Sequence, residues 1–191
     1  MSMDNFILRS ARYIAAEVCQ RVLKEGDRAV DVTMGNGHDT LLLCQLVGKT
    51  GHVDAFDVQQ QALDNTRALL AANGLESRAT LHHAGHEHMG DLVPHSVQLV
   101  MFNLGWLPGS DKQVRTQWPT TRKALDAALQ LLTSLGLCVL CVYPGHPEGE
   151  EERQQLLAYL AALKPQQYNV LRHQFINAGS QAPECILIQK Q

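Results

Sequence analysis

The ten residues Asp31-Val32-Thr33-Met34-Gly35-Asn36-Gly37-His38-Asp39-Thr40 constrain this chain more than any other stretch. They join a short apolar strand candidate, residues 28–32, to an apolar run, 41–47, that reads as a helix. A strand, a tight glycine turn and a helix start form a cradle for a nucleotide-like ligand. Glycines let the backbone approach closely, and the first helical turn offers free N–H groups. Asp57 follows Gly37 by twenty residues, at the end of a second strand candidate, 52–56. A carboxylate there can accept hydrogen bonds from two ribose hydroxyls. The pattern is half of a nucleoside-cofactor site.

The spacing fits a dinucleotide poorly. Thr40 stands where the third glycine of G-x-G-x-x-G would pack the helix onto the sheet. Asp31 ends the first strand, where it would repel a pyrophosphate but could accept a hydrogen bond from a cationic amino-acid tail. S-adenosylmethionine (SAM) has such a tail and no phosphate, so it is the favoured cofactor. A nicotinamide cofactor, and a glycine loop that merely turns the chain, stand beside it as alternatives.

Length and charge narrow the field. With 191 residues, 45% of them hydrophobic, the chain suits one well-filled domain, 1–191. A formal net charge of −3 excludes a generally basic nucleic-acid binder, so any RNA contact needs a local patch. The first nine residues lack an apolar signal core, and no apolar run approaches a membrane span. The five cysteines are scattered, and Cys138 and Cys141 would face opposite sides of one strand. Reduced thiols in a cytoplasmic protein are the expectation.

Strand and helix patterns alternate throughout, without repeat or linker. Helix spacing marks Ala11, Ile14, Ala15, Val18, Val22 and Leu23, stopped by Gly26. A helix through Ala62 and Leu70 stops at Asn73-Gly74, and strands are expected at 79–83 and 97–103. A helix over 120–135, a strand over 137–143, a helix over 150–163 and two strands, 169–176 and 184–189, follow. The last two could pair antiparallel. Such alternation predicts a parallel sheet covered on both faces, with ligands beyond the carboxyl ends of the strands. The residues expected there are Asp31, Asp57, His83, Asn103 and Tyr143, a polar set that a purely structural sheet would not need.

The fourth strand runs into Asn103-Leu104-Gly105-Trp106-Leu107-Pro108-Gly109. An Asn carbonyl and the next backbone carbonyl can accept hydrogen bonds from an amine N–H and aim its lone pair at a methyl donor. An aromatic three residues on can stack a planar base. The bland alternative is a turn with a buried Trp. After the fifth strand, Tyr143-Pro144-Gly145-His146 forms a stiff loop that could hold an imidazole near the substrate as a proton acceptor, or simply an exposed His. The run Glu150-Glu151-Glu152 reads as first-turn acids complementing a helix dipole. His82, His83, His86 and His88 fit no standard zinc spacing, so no metal is expected. His86 and Glu87 read better as cofactor-edge residues. Lys112, Arg115, Arg122 and Lys123 form a candidate RNA patch, with Arg9, Arg12 and Arg21 as a second group; solvated helix faces explain both equally well.

Together these blocks resemble the MnmM (YtqB-like) methyltransferases, formerly called rRNA methylases. The resemblance rests on Asp31-x-Thr33-x-Gly35-x-Gly37-x-Asp39-Thr40, His86-Glu87, 102–109 with Asp111-Lys112, Thr120-Thr121, and Tyr143-Pro144-Gly145-His146 with Gly149 and Glu151-Glu152. It implies an α/β, class I SAM-dependent methyltransferase (Rossmann-like) fold with a mostly parallel seven-stranded sheet, helices on both faces and an antiparallel C-terminal strand. It also implies methylation of 5-aminomethyl-2-thiouridine to 5-methylaminomethyl-2-thiouridine at the tRNA wobble position. Asp31, Thr33, Gly35, Asn36, Gly37, Asp39, Thr40, Asp57, His86 and Glu87 would then bind SAM. Trp106, Lys112 and Tyr143 would bind the tRNA anticodon stem-loop, and Asn103 and His146 would be catalytic. Trp106 stands where Tyr is common, Ser110 where Gly is common, and 177–180 departs from the usual polar turn. A homodimer is the candidate assembly. The rivals are a methyltransferase acting on rRNA or a small amine, and a catalytically silent RNA-binding module on the same fold.

Overall fold

The alternation closes into one seven-stranded sheet of order β3-β2-β1-β4-β5-β7-β6. The computed structural model describes residues 10–94, 96–106 and 114–191. Its strands are β1 (Arg28–Asp31), β2 (His52–Asp57), β3 (Ala79–His83), β4 (Val97–Leu104), β5 (Leu132–Val142), β6 (Tyr168–His173) and β7 (Glu184–Lys190). Its helices are α1 (Ala11–Val22), α2 (His38–Leu46), α3 (Gln60–Ala72), the single turn α4 (Met89–Leu92), α5 (Trp118–Leu131) and α6 (Pro147–Ala161). Strands β1 to β5 run parallel, while β7 lies antiparallel to both β5 and β6.

The central strands are buried on both faces, which is why they read as continuous apolar runs. Along β4, Val100 and Phe102 enter one apolar layer with Leu125, Leu140 and Leu156. Leu99 and Met101 enter the opposite layer with Ala15, Cys19, Leu43 and Val139. All five cysteines are buried as free thiols.

One boundary differs from expectation. The helix expected over 120–135 stops at Leu131, and β5 starts at once with Leu132, which pairs with Val97. Apolar residues at 131, 132, 135 and 137 satisfy either period locally. Tertiary partners decide: the Lys190 ammonium donates to the carbonyls of Leu129, Gln130 and Leu132 at 3.0, 3.2 and 2.6 Å, ending the helix from a strand about sixty residues away. Leu135 then takes φ +63°, a rare conformation for a bulky residue.

Strand order reverses between β1 and β4: the chain builds outward to β2 and β3, then returns to start β4 on the other side of β1. A crevice forms at the carboxyl ends of these two strands.

Candidate functional site

That crevice is a cavity of about 770 Å³. Thr33, Gly35, Asn36 and Asp39 line it from the glycine loop, Asp57 from the end of β2, and His86 and Glu87 from the turn after β3. Asn103, Trp106, Tyr143 and His146 line it from the other side of the switch point.

Three expected cofactor contacts lie beneath the cavity instead. Asp31 is fully buried and accepts from the Thr40 hydroxyl at 2.6 Å and the Thr33 N–H at 3.2 Å. It braces the loop from below, leaving Asp39 as the glycine-loop carboxylate that faces the cavity. Burial, with Asp39 nearby, pushes the Asp31 carboxyl up to about 7. Thr40 is equally buried and spent on Asp31. Gly37 sits in the left-handed region at φ +80°, and a Cβ there would come within 2.8 Å of the Thr66 backbone. Its role is close packing of the loop on α3.

Asp57 accepts the Gly35 N–H at 3.1 Å and the Gln59 N–H at 2.9 Å, one on each carboxylate oxygen. Each oxygen keeps a further lone pair toward the cavity. Burial raises its pKa, opposed by the hydrogen bonds from Gln59 and Gly35. His86 is nearly buried; desolvation lowers its pKa and keeps the ring neutral. It hydrogen-bonds the Val32 backbone, while Nε2 is buried without a hydrogen-bond partner among the described residues.

Asn103 is held at both ends. Its N–H donates to the Thr33 hydroxyl at 2.8 Å and its side-chain Nδ2 to Asp39 Oδ2 at 3.0 Å. A carboxylate only accepts, so the amide nitrogen must face Asp39, and Oδ1 is left as an acceptor. The second Asp39 oxygen meets Arg12 Nε at 3.5 Å. Arg12, read from the sequence only as part of a second basic group, lines the cavity from α1; no local pattern links it to Asp39, twenty-seven positions later.

Trp106 and His146 meet with ring centroids 4.6 Å apart and planes at 56°. His146 is also the N-cap of α6: its Nδ1 accepts the Gly149 N–H at 3.0 Å. That bond requires a lone pair on Nδ1, whereas the 3.3 Å contact of the same nitrogen with Glu148 Oε2 would require a proton there; the shorter cap bond prevails, which leaves the ring proton on Nε2. Nδ1, committed to the cap, is thus not free to accept a proton from the substrate, and Nε2 is buried without a hydrogen-bond partner among the described residues. A Cβ on Gly149 would stand 2.7 Å from Nε2, which explains the glycine at that spacing. Burial raises the Tyr143 phenol and keeps it neutral.

Other expectations disperse. His83 Nε2 donates to the Val58 carbonyl at 2.9 Å, and His83 does not line the cavity. His82 pairs with Asp54 on the sheet. Among the described residues, no three His, Cys, Asp or Glu side chains gather as a metal site. Lys112 lies outside the described residues. Arg115 pairs with Glu148, Arg122 lies near Asp126 and over the Tyr159 ring, and Lys123 is exposed, so two of the four candidate cations have acidic neighbours within the fold. Among the described residues, no helix is long and apolar enough to cross a membrane.

The profile of the family described as "Putative rRNA methylase" matches residues 53–189. The chain belongs to the rRNA methylase family. This family member superposes on a Clostridium thermocellum protein described as a "putative rRNA-methylase", with TM-score 0.95 and 35% identity over 97% of this chain and 100% of that one. A Streptococcus mutans "putative methyltransferase in complex with SAH" gives TM-score 0.88 and 31% identity over 97% and 100%. The fold is thus the class I SAM-dependent methyltransferase fold. A curated Arabidopsis thaliana protein, "tRNA (mnm(5)s(2)U34)-methyltransferase, chloroplastic", is 37% identical over 88% of this chain. The chain spans 65% of that protein's length.

Proposed function

We propose that this family member is a SAM-dependent N-methyltransferase that converts 5-aminomethyl-2-thiouridine to 5-methylaminomethyl-2-thiouridine at the tRNA wobble position. The observation that carries the reading is the Asn103 carboxamide. Asp39 takes its Nδ2, and Oδ1 is left to accept an amine N–H beside the cofactor half of the cavity. The Arabidopsis relative supports the substrate class, and the streptococcal complex with SAH supports the cofactor.

The residues present fit SAM. Asp57 keeps lone pairs for two ribose hydroxyls, Asp39 with Arg12 meets the charges of an amino-acid tail, and His86 brings a neutral ring with an unsatisfied nitrogen. SAM supplies an electrophilic methyl group. The chain's part is to position the acceptor: Oδ1 of Asn103 accepts an N–H of the neutral amine, directing the nitrogen lone pair away from itself, and Trp106 offers a stacking face to the uracil. The methylated nitrogen becomes cationic and gives its extra proton to water. No side-chain base is needed in the bond-forming step, which agrees with the occupied Nδ1 of His146. We assign the anticodon stem-loop as the bound RNA and the cytoplasm as the compartment, where five buried free thiols are at home.

The test is nucleoside mass spectrometry of tRNA carrying 5-aminomethyl-2-thiouridine after incubation with the protein and SAM. The wobble nucleoside should gain one methyl group. Methyl transfer to rRNA instead, or to neither RNA, would overturn the assignment.

A further inference from the structure

Two sequence blocks, Thr120-Thr121 and Glu151-Glu152, have one member each turned inward. Thr120 borders the cavity, whereas Thr121 is fully buried. Glu151 is exposed, whereas Glu152 is 5% exposed. Glu152 is therefore not a helix-dipole acid at the surface: its carboxylate accepts the Thr121 hydroxyl at 2.6 Å and the Thr116 hydroxyl at 2.7 Å. A buried carboxylate held by two hydroxyls costs more desolvation than an apolar contact of the same size. What it provides is a defined geometry, and Thr116 is where that geometry leads.

Residues 114–117 form a strap along the cavity. The Thr116 N–H donates to the Gly105 carbonyl at 2.9 Å, and Arg115 pairs with Trp106 as an antiparallel bridge. Arg115 Nη2 also reaches Glu148 Oε1 at 3.1 Å, one helical turn before Glu152 on the same face of α6. On its other side Trp106 rests against His146, which caps the same helix. These two contacts of Trp106, with Arg115 and with His146, thus hang from the first turns of α6. The hydrogen bonds that fix Asp57 and Asp39 involve none of these residues.

We propose that Glu152 is a positioning residue for the acceptor half of the site: through Thr116 it fixes the strap that sets the Trp106 ring. The activity part of this inference rests on the tRNA reading above; the placement of Trp106 does not.

The test uses Thr121→Val and Glu152→Gln, neither of which alters a residue lining the cavity. Both are made in a Trp118→Phe background, which leaves Trp106 as the single reporter of the chain's two tryptophans. Trp106 emission should shift to the red and become more open to acrylamide quenching. The kcat/KM for tRNA methylation should fall about tenfold or more, as expected for a misplaced acceptor. SAM affinity should stay within about twofold of the parent's, because the cofactor contacts lie elsewhere. Thr121→Ser, which keeps the hydroxyl, should restore both emission and rate. Unchanged Trp106 emission in both variants would overturn the inference, as would a parallel loss of SAM affinity, which marks general damage. A parent protein that methylates no tRNA would instead refute the proposed function, while emission still decides the positioning role.

Discussion

Replacing Asp31 with Asn should make the protein more stable at neutral and alkaline pH. Asp31 is fully buried, with its pKa pushed from 3.8 to about 7 by burial and by Asp39. A carboxyl whose pKa is raised by folding is bound more tightly to its proton in the native state. Its favourable contribution is complete below about pH 4, is lost as pH rises through about 7, and does not change further above that. A shift of about three units corresponds to roughly 4 kcal/mol between the two ends of that window. The amide is neutral throughout and escapes this cost. It has one acceptor oxygen where the carboxylate used two, so the bonds from Thr40 and Thr33 are partly lost, at about 1–2 kcal/mol. The net expectation at pH 8 is a gain of about 2–3 kcal/mol, shrinking to a small loss near pH 4. Urea unfolding of parent and variant across pH 4 to 8, without cofactor, measures the difference. Comparing the two proteins removes the parallel titrations of Asp57 and Glu152, whose carboxyls burial also raises. A variant that tracks the parent at every pH, or is less stable at pH 8, would refute the reasoning.

Three further outcomes are expected. Asp57→Ala should weaken SAM binding by about 1–3 kcal/mol through loss of charged acceptors for the ribose, with the Gly35 and Gln59 N–H groups released; calorimetry on folded variant checks this. Asn103→Ala should lower tRNA methylation by about 100-fold or more while SAM and tRNA binding survive, measured by single-turnover kinetics beside binding assays. His146→Asn, which keeps a capping side chain, and His146→Ala, which does not, should leave the shape of the pH–rate profile unchanged because Nδ1 is committed to Gly149; the alanine variant alone should lose about 1 kcal/mol of stability. A flattened profile in either variant would restore His146 as a proton acceptor.

Local patterns carried much of this protein. Alternating periods defined six of the seven strands to within a few residues, because a strand buried on both faces and a helix with one apolar face leave distinct spacings in the chain. The glycine turn and the strand-end carboxylate were also legible locally, and the fold brings Gly35 and Asp57 to the same cavity at the switch point. The end of α5 was hidden, because Lys190 sets it from β7, the neighbour of β5 in the sheet but about sixty residues away in sequence. The division of labour among the carboxylates was hidden too. Asp31 and Asp39 sit eight residues apart with similar local surroundings, yet only Asp39 reaches the cavity, and burial of Asp31 follows from the layers that close over β1. Arg12 and Glu152 acquire their roles from partners twenty-seven and thirty-six residues distant, at Asp39 and Thr116. Side-chain period and turn chemistry are local properties of a chain and can be read along it. Which of several similar polar groups is desolvated, and which partner satisfies it, depends on how distant segments pack, and that was decided only in the folded structure.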